Sequence, residues 1–220
     1  MLQSIQPNFN KKINKNQIAV SLLISMYAAG AIIIGANLIE GFVLLTPFNL
    51  IVSLGLLIWT DRQWTNKKTY LAFLAFFVGF FAEMIGTNTG LIFGNYTYGQ
   101  TLGFQIGHVP LIIGVNWFML VYATAALINQ FFERWNWFVK AIFSALLMVG
   151  LDIFIEPVAM KYDFWNWESG IIPIQNFIGW FVIALILLSV THYHTLIKNK
   201  IAIVLFLAQL LFFVSLNIFL

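Results

Sequence analysis

The chain has 220 residues, of which 61% are hydrophobic and 9% charged, far below the roughly 25% of charged residues in a soluble domain. That shortage leaves too little polar surface to cover a globule in water, and the apolar character runs the whole length, so the solvent it fits is a bilayer. The absence of cysteine excludes disulfides, thiolate metal sites and cysteine nucleophiles, and no basic, aromatic-interleaved face suggests nucleic acid.

The first 16 residues are polar, hold Lys11, Lys12 and Lys15, and read as a short cytoplasmic tail. No small-residue cleavage site follows, so the next apolar run is not expected to be a signal peptide. Apolar segments then recur at roughly 17–36, 42–59, 70–86, 110–131, 138–156, 174–193 and 201–220, each near the ~20 residues that cross a hydrocarbon core. The expectation is an all-α integral membrane protein of about seven transmembrane helices, a single domain over residues 1–220, with no internal repeat. With the N-terminus inside, only Lys161 of the eleven basic residues falls on the outer side. Lys15, Arg62, Lys67, Lys68, Arg134, Lys140, Lys198 and Lys200 all fall with the tail, as the positive-inside rule requires. This places the chain as a multi-pass protein of the cytoplasmic (inner) membrane, with the C-terminus and two longer loops, 86–109 and 157–173, on the outer side.

The acids divide differently. Asp61 and Glu133 lie in cytoplasmic loops beside basic residues and read as solvated charges. Glu40, Glu83, Asp152, Glu156, Asp163 and Glu168 fall toward the outer half, and the first four sit in or at the ends of apolar helices. A carboxylate at mid-helix costs about 2.5–3.5 kcal/mol to insert, and such residues usually face the bundle interior and act there. Asp152 and Glu156, four apart, share a helix face. Two acids close together in low dielectric repel, so one is expected to keep its proton, and the pair can then supply a proton donor and a base. Pro157 is expected to end or kink the helix just beyond.

The stretch from Gly86 to Gly107 holds six glycines and no charge. It reads either as close helix packing through small residues or as an irregular loop lining a cavity at membrane depth. Asn88, Asn95, Tyr96 and Tyr98 supply hydrogen-bonding groups to the second reading. Farther on, Trp165 and Trp167 flank Asn166, and in an extended chain that spacing points both rings the same way. They read either as an interfacial aromatic belt or as π-faces that can stabilise a cation. Asn116, Trp117, Asn176 and Trp180 lie on helices near the same side. His108 reads as a local hydrogen-bonder, His192 and His194 as interfacial, and no metal site has credible spacing.

Together E-x-x-G-T-x-x-G from Glu83, F-G-x-Y-x-Y-G from Phe93, D-x-x-x-x-P from Asp152 and W-x-W from Trp165 form a specific set. Over roughly residues 80–182 the chain resembles the carotenoid biosynthesis family of CruF-type carotenoid 1′,2′-hydratases, which includes bisanhydrobacterioruberin hydratases. Gly114 and Ile172 depart from the family's pattern. The resemblance implies hydration of the terminal double bond of an acyclic carotenoid end group to a tertiary alcohol, with no redox cofactor. The substrate would be lycopene, γ-carotene or a bacterioruberin precursor; the bilayer and other carotenoid enzymes are the expected partners.

The residues suit that chemistry. Hydration of such an alkene begins with proton transfer to carbon, and water then captures the tertiary cation. Asp152 and Glu156 are the candidates for acid and base, with Glu83 as rival for either role. Tyr96, Tyr98 and Asn95 are candidates to position the water, and Trp165 and Trp167 to flank the cation. Asn88, Trp117, Asn176 and Trp180 complete the expected binding set. Two rival readings remain at this level: an end-group cyclase that shares the protonation step, and a proton-coupled transporter or lipid-binding scaffold.

Overall fold

A computed structural model describes residues 14–219; Lys11, Lys12 and nearly all of the expected tail lie outside them. Seven helices long and apolar enough to cross a membrane make this a multi-pass membrane protein. They are α1 (Lys15–Gly35), α2 (Thr46–Thr60, led by a 3-10 turn, Phe42–Leu45), α3 (Asn66–Thr89), α4 (Ile112–Phe131), α5 (Trp137–Lys161), α6 (Ile174–His194) and α7 (Lys200–Asn217). Their starts follow from polar caps. The side chains of Asn14, Thr65, Asn136 and Asn199 each accept a backbone N–H of the first turn, which supplies donors' partners that the helix itself lacks.

Two helices run farther than the hydrophobic pattern indicates. α3 continues three residues past Gly86 and stops at Gly90, whose left-handed backbone closes it. α5 continues through Pro157 to Lys161, so of the two expectations there, an end or a kink, the helix does not end. A proline costs one backbone hydrogen bond, and neighbouring helices in a membrane bundle make that tolerable.

One end of the bundle collects the basic residues. Lys15 Nζ donates to the Trp59 carbonyl at 2.7 Å, Lys198 pairs with Glu133 at 2.8 Å, and Asn199 Nδ2 donates to the Leu57 carbonyl at 3.2 Å. Glu133 is solvated, as expected, but Asp61 is not. Its side chain is 1% exposed and forms a 2.7 Å ion pair with Lys68, itself 3% exposed, and it also accepts a hydrogen bond from the Tyr122 hydroxyl. Burial alone would push the Asp61 carboxyl up; the hydrogen bonds from Lys68 and Tyr122 outweigh it and hold the carboxyl below its ordinary value. His192 Nε2 meets Ser144 Oγ at 3.0 Å between α5 and α6.

α4 is the axis of the bundle, buried on nearly every side. α3 packs closely on it because Gly79 leaves room for Trp117: a Cβ there would stand 2.2 Å from Trp117 Cγ. Gly114 does the same for the Phe76 ring, at 2.7 Å, which gives a packing reason for this departure from the family pattern.

The other end carries two small antiparallel sheets. β2 (Gln105–Ile106) and β3 (Val109–Pro110) form a hairpin turned by Gly107 and His108, both with positive φ. This suits the primed turn that two-residue hairpins favour. β1 (Tyr96–Tyr98) pairs with β4 (Trp165–Trp167). The Gly-rich segment is therefore irregular and cavity-lining beyond Gly90, whereas Gly86 lies within α3 and leaves room for the Phe93 ring of the loop, which stands where a Cβ would project. Glu40 stands exposed in the turn between α1 and α2, on no helix.

Candidate functional site

Glu83 projects from α3 six residues before the helix ends at Thr89, about 9 Å below that end at the usual helical rise. It is 3% exposed. Its Oε2 accepts the hydroxyls of Tyr96 (2.5 Å) and Tyr98 (2.8 Å), and its Oε1 accepts the Trp117 indole N–H (3.1 Å). Glu156, 1% exposed on α5, is held by three N–H groups. Trp165 and Trp167 donate to its Oε2 at 3.0 and 2.7 Å, and Asn176 Nδ2 donates to its Oε1 at 2.8 Å. The same Asn176 nitrogen reaches Asp152 Oδ2 at 2.9 Å. The spacing of four that puts Asp152 and Glu156 on one face thus meets a single amide from α6.

The aromatic groups are positioned by strand geometry. In β1 the alternation of side chains sends Tyr96 and Tyr98 to one face; in β4 it does the same for Trp165 and Trp167. The register sets Tyr96 opposite Trp167 and Tyr98 opposite Trp165, with ring centroids 5.0 and 5.9 Å apart. The four rings form a plaque over the carboxyls. Behind Glu83, Trp117 stacks on Trp180 at 4.3 Å. Asp163 closes the loops at the rim: its carboxylate accepts Asn166 Nδ2 at 2.8 Å and the Gln100 backbone N–H at 3.3 Å.

Two cavities meet here. A small one of about 20 Å³ is lined by Glu83, Glu156, Tyr96, Tyr98, Asn176 and Trp180, among others. It adjoins an apolar cavity of about 560 Å³ lined by residues of α1, α2, α4, α5 and α7. Ile113, Asn116, Ile155 and Trp165 line both, so the large cavity, a tunnel between the helices, shares a wall with the carboxyl chamber.

The structure brings together ten of the expected residues: Glu83, Glu156, Asp152, Tyr96, Tyr98, Trp117, Trp165, Trp167, Asn176 and Trp180. Asp152 is fully buried but lies behind Asn176 and does not line the chamber; its Oδ1 has no hydrogen-bond partner. Asn88 and Asn95 stay outside. Asn88 is exposed and donates to the Met84 and Gly107 carbonyls, and Asn95 is exposed on the far side of the β1 strand, so neither can position water at the carboxyls. Asn95 precedes Tyr96, and the strand alternation that turns the tyrosine inward turns its neighbour outward. Asn116, which the sequence places near this side but outside the expected binding set, lines both cavities. No cluster of three or more His, Asp or Glu side chains that could hold a metal occurs among the described residues.

The chain belongs to the carotenoid biosynthesis protein family, whose sequence model matches residues 41–220. Among curated proteins it is similar to bisanhydrobacterioruberin hydratase of Haloarcula japonica, 29% identical over 104 residues. The similarity covers 44% of this chain and 36% of that protein, so the chain matches well under half of the relative's length. No solved structure matches it.

Proposed function

We propose that this protein hydrates the terminal 1′,2′ double bond of an acyclic carotenoid end group, such as that of lycopene, γ-carotene or a bacterioruberin precursor. The observation that carries this reading is the shared wall of the two cavities: an apolar tunnel abuts a carboxyl-lined chamber of about 20 Å³. A chamber of that size holds about one water molecule. A polyene end group in the tunnel would therefore meet an acid, a base and a single water.

The partners of the carboxyls divide the roles. Glu156 is surrounded by N–H groups that can only donate, an environment for a carboxylate. Glu83 is held largely by tyrosine hydroxyls, which can accept as well as donate, so it can carry a proton. In this assignment Glu83 protonates the alkene carbon, and the π-electrons of the double bond form the new C–H bond. The resulting tertiary cation is faced by the indole rings and the Glu156 carboxylate. Water adds to the cation through oxygen, and its surplus proton passes to a carboxylate. Net, one water is added and the protein ends with the protons it began with. Asp152 acts through Asn176 as a positioning residue. The positive-inside pattern supports placing the basic end in the cytoplasm and the chamber toward the outer face of the cytoplasmic membrane.

The test is expression of Glu83→Gln, Glu156→Gln and Asp152→Asn in cells that accumulate lycopene or γ-carotene, with pigment mass as readout. The parent chain is expected to add the mass of one water and the Glu83 and Glu156 variants to lose that product. Undiminished hydration by all three variants would overturn the assignment, and a new pigment of unchanged mass would mark a cyclase instead.

A further inference from the structure

Hydration has a second substrate, and the tunnel is poorly suited to deliver it: its wall is almost wholly apolar and built from helices that face lipid, a phase that scarcely holds water. A third cavity, of about 380 Å³, opens at the sheet end of the bundle. Its lining is of opposite character, with Asn95, Glu168, Ser169 and Gln175 among its residues. Its walls are tied by hydrogen bonds to backbone carbonyls: the Glu168 N–H donates to the Asn95 carbonyl at 3.0 Å, and the Gln175 side-chain Nε2 donates to the Leu91 carbonyl at 2.7 Å.

Trp167 lines both this polar cleft and the carboxyl chamber. One indole separates them, 5% exposed, with its N–H on Glu156 and its ring against Tyr96. The cleft reaches the ring because Gly94 has no side chain; a Cβ there would stand 3.4 Å from Trp167 Cζ3 and 2.8 Å from Pro173 Cγ. From this shared wall we infer that the cleft is the water inlet of the enzyme: water collects on its polar walls and passes Trp167 to the chamber, while the carotenoid arrives separately through the tunnel. Trp167 then has two duties, as a donor to Glu156 and as the gate between an aqueous vestibule and a dry site. The inference rests on the hydration reading.

The natural absence of cysteine makes a clean test. Ser169→Cys and Glu168→Cys place a single thiol in the cleft, and Gln100→Cys places one on the same face, outside it. Membranes carrying each variant and loaded with an acyclic carotenoid are treated with a bulky, charged methanethiosulfonate. Labelling in the cleft is expected to slow hydration by about tenfold or more, to leave the bound carotenoid unchanged, and to be reversed by a thiol reductant; labelled Gln100→Cys keeps its rate. Complete labelling of both cleft thiols with no loss of rate would overturn the inlet, as would an equal loss at Gln100→Cys. Failure of the unlabelled parent to hydrate any carotenoid would count against the reaction itself, so the two failures are told apart.

Discussion

Tyr96 stands directly opposite Trp167 in the pairing of β1 with β4, their rings 5.0 Å apart. The Tyr96 hydroxyl holds Glu83 and the Trp167 indole holds Glu156. One strand pair therefore spaces two carboxyls that come from different helices. The distance between the two carboxyls is set by extended backbone above the bundle as well as by helix packing within it.

Trp167→Phe and Trp165→Phe test that link. Each keeps an aromatic ring and removes one N–H from Glu156. A hydrogen bond to a charged group contributes about 1.5–3 kcal/mol, so each variant is expected to hydrate carotenoid about tenfold to a hundredfold more slowly, measured as hydrated pigment per unit of protein. The double variant should lose less than the sum of the two, because both donors serve one oxygen.

Asn176→Leu removes the amide shared by Asp152 and Glu156. Each carboxyl left short of a partner costs about 1–3 kcal/mol, so hydration and thermal stability should both fall. Adding Asp152→Ala is expected to recover part of the stability and none of the activity, read by thermal unfolding in detergent and by pigment mass.

Val52 lines the tunnel from α2 and touches none of the carboxyls. Val52→Trp should cut the carotenoid that copurifies with the protein, yet leave its unfolding temperature within a few degrees of the parent. Carotenoid retained at parental levels would show that the end group does not pass this point.

At the basic end, Asp61 has its carboxyl held below the ordinary value. A group with a depressed folded pKa contributes stability above its unfolded value of about 3.9 and loses it as pH falls through the folded value. Thermal stability should therefore decline below about pH 4, and less so in Asp61→Asn. Lys68→Met leaves the carboxylate buried without its cation and is expected to cost about 3–5 kcal/mol, more than the double variant Asp61→Asn/Lys68→Met, in which no unpaired charge remains.

Much of this was legible in the sequence. The seven spans show themselves because each must satisfy the same hydrocarbon thickness, and Glu83, Asp152 and Glu156 stand out because carboxyls in apolar helices are expensive. Trp165 and Trp167 were readable as a pair from their spacing alone. Their pairing with Tyr96 and Tyr98 was not, because no local pattern connects strands about 70 residues apart, and the inward turn of Tyr96 is what turns Asn95 away. Asp61 misled because a charge beside Arg62 looks solvated until Lys68, one helical turn into α3, folds back onto it. Pro157 does not end α5 because its local cost is offset by the surrounding bundle.

The carboxyl chamber draws its side chains from residues 83–180, whereas α1, α2 and α7 enter only the tunnel wall. Under the proposed hydration, the carboxyls that handle the proton and the helices that line the substrate path lie on different stretches of the polypeptide. Exchanging the end helices among relatives is then expected to change which pigment is admitted and to leave the proton-handling carboxyls in place.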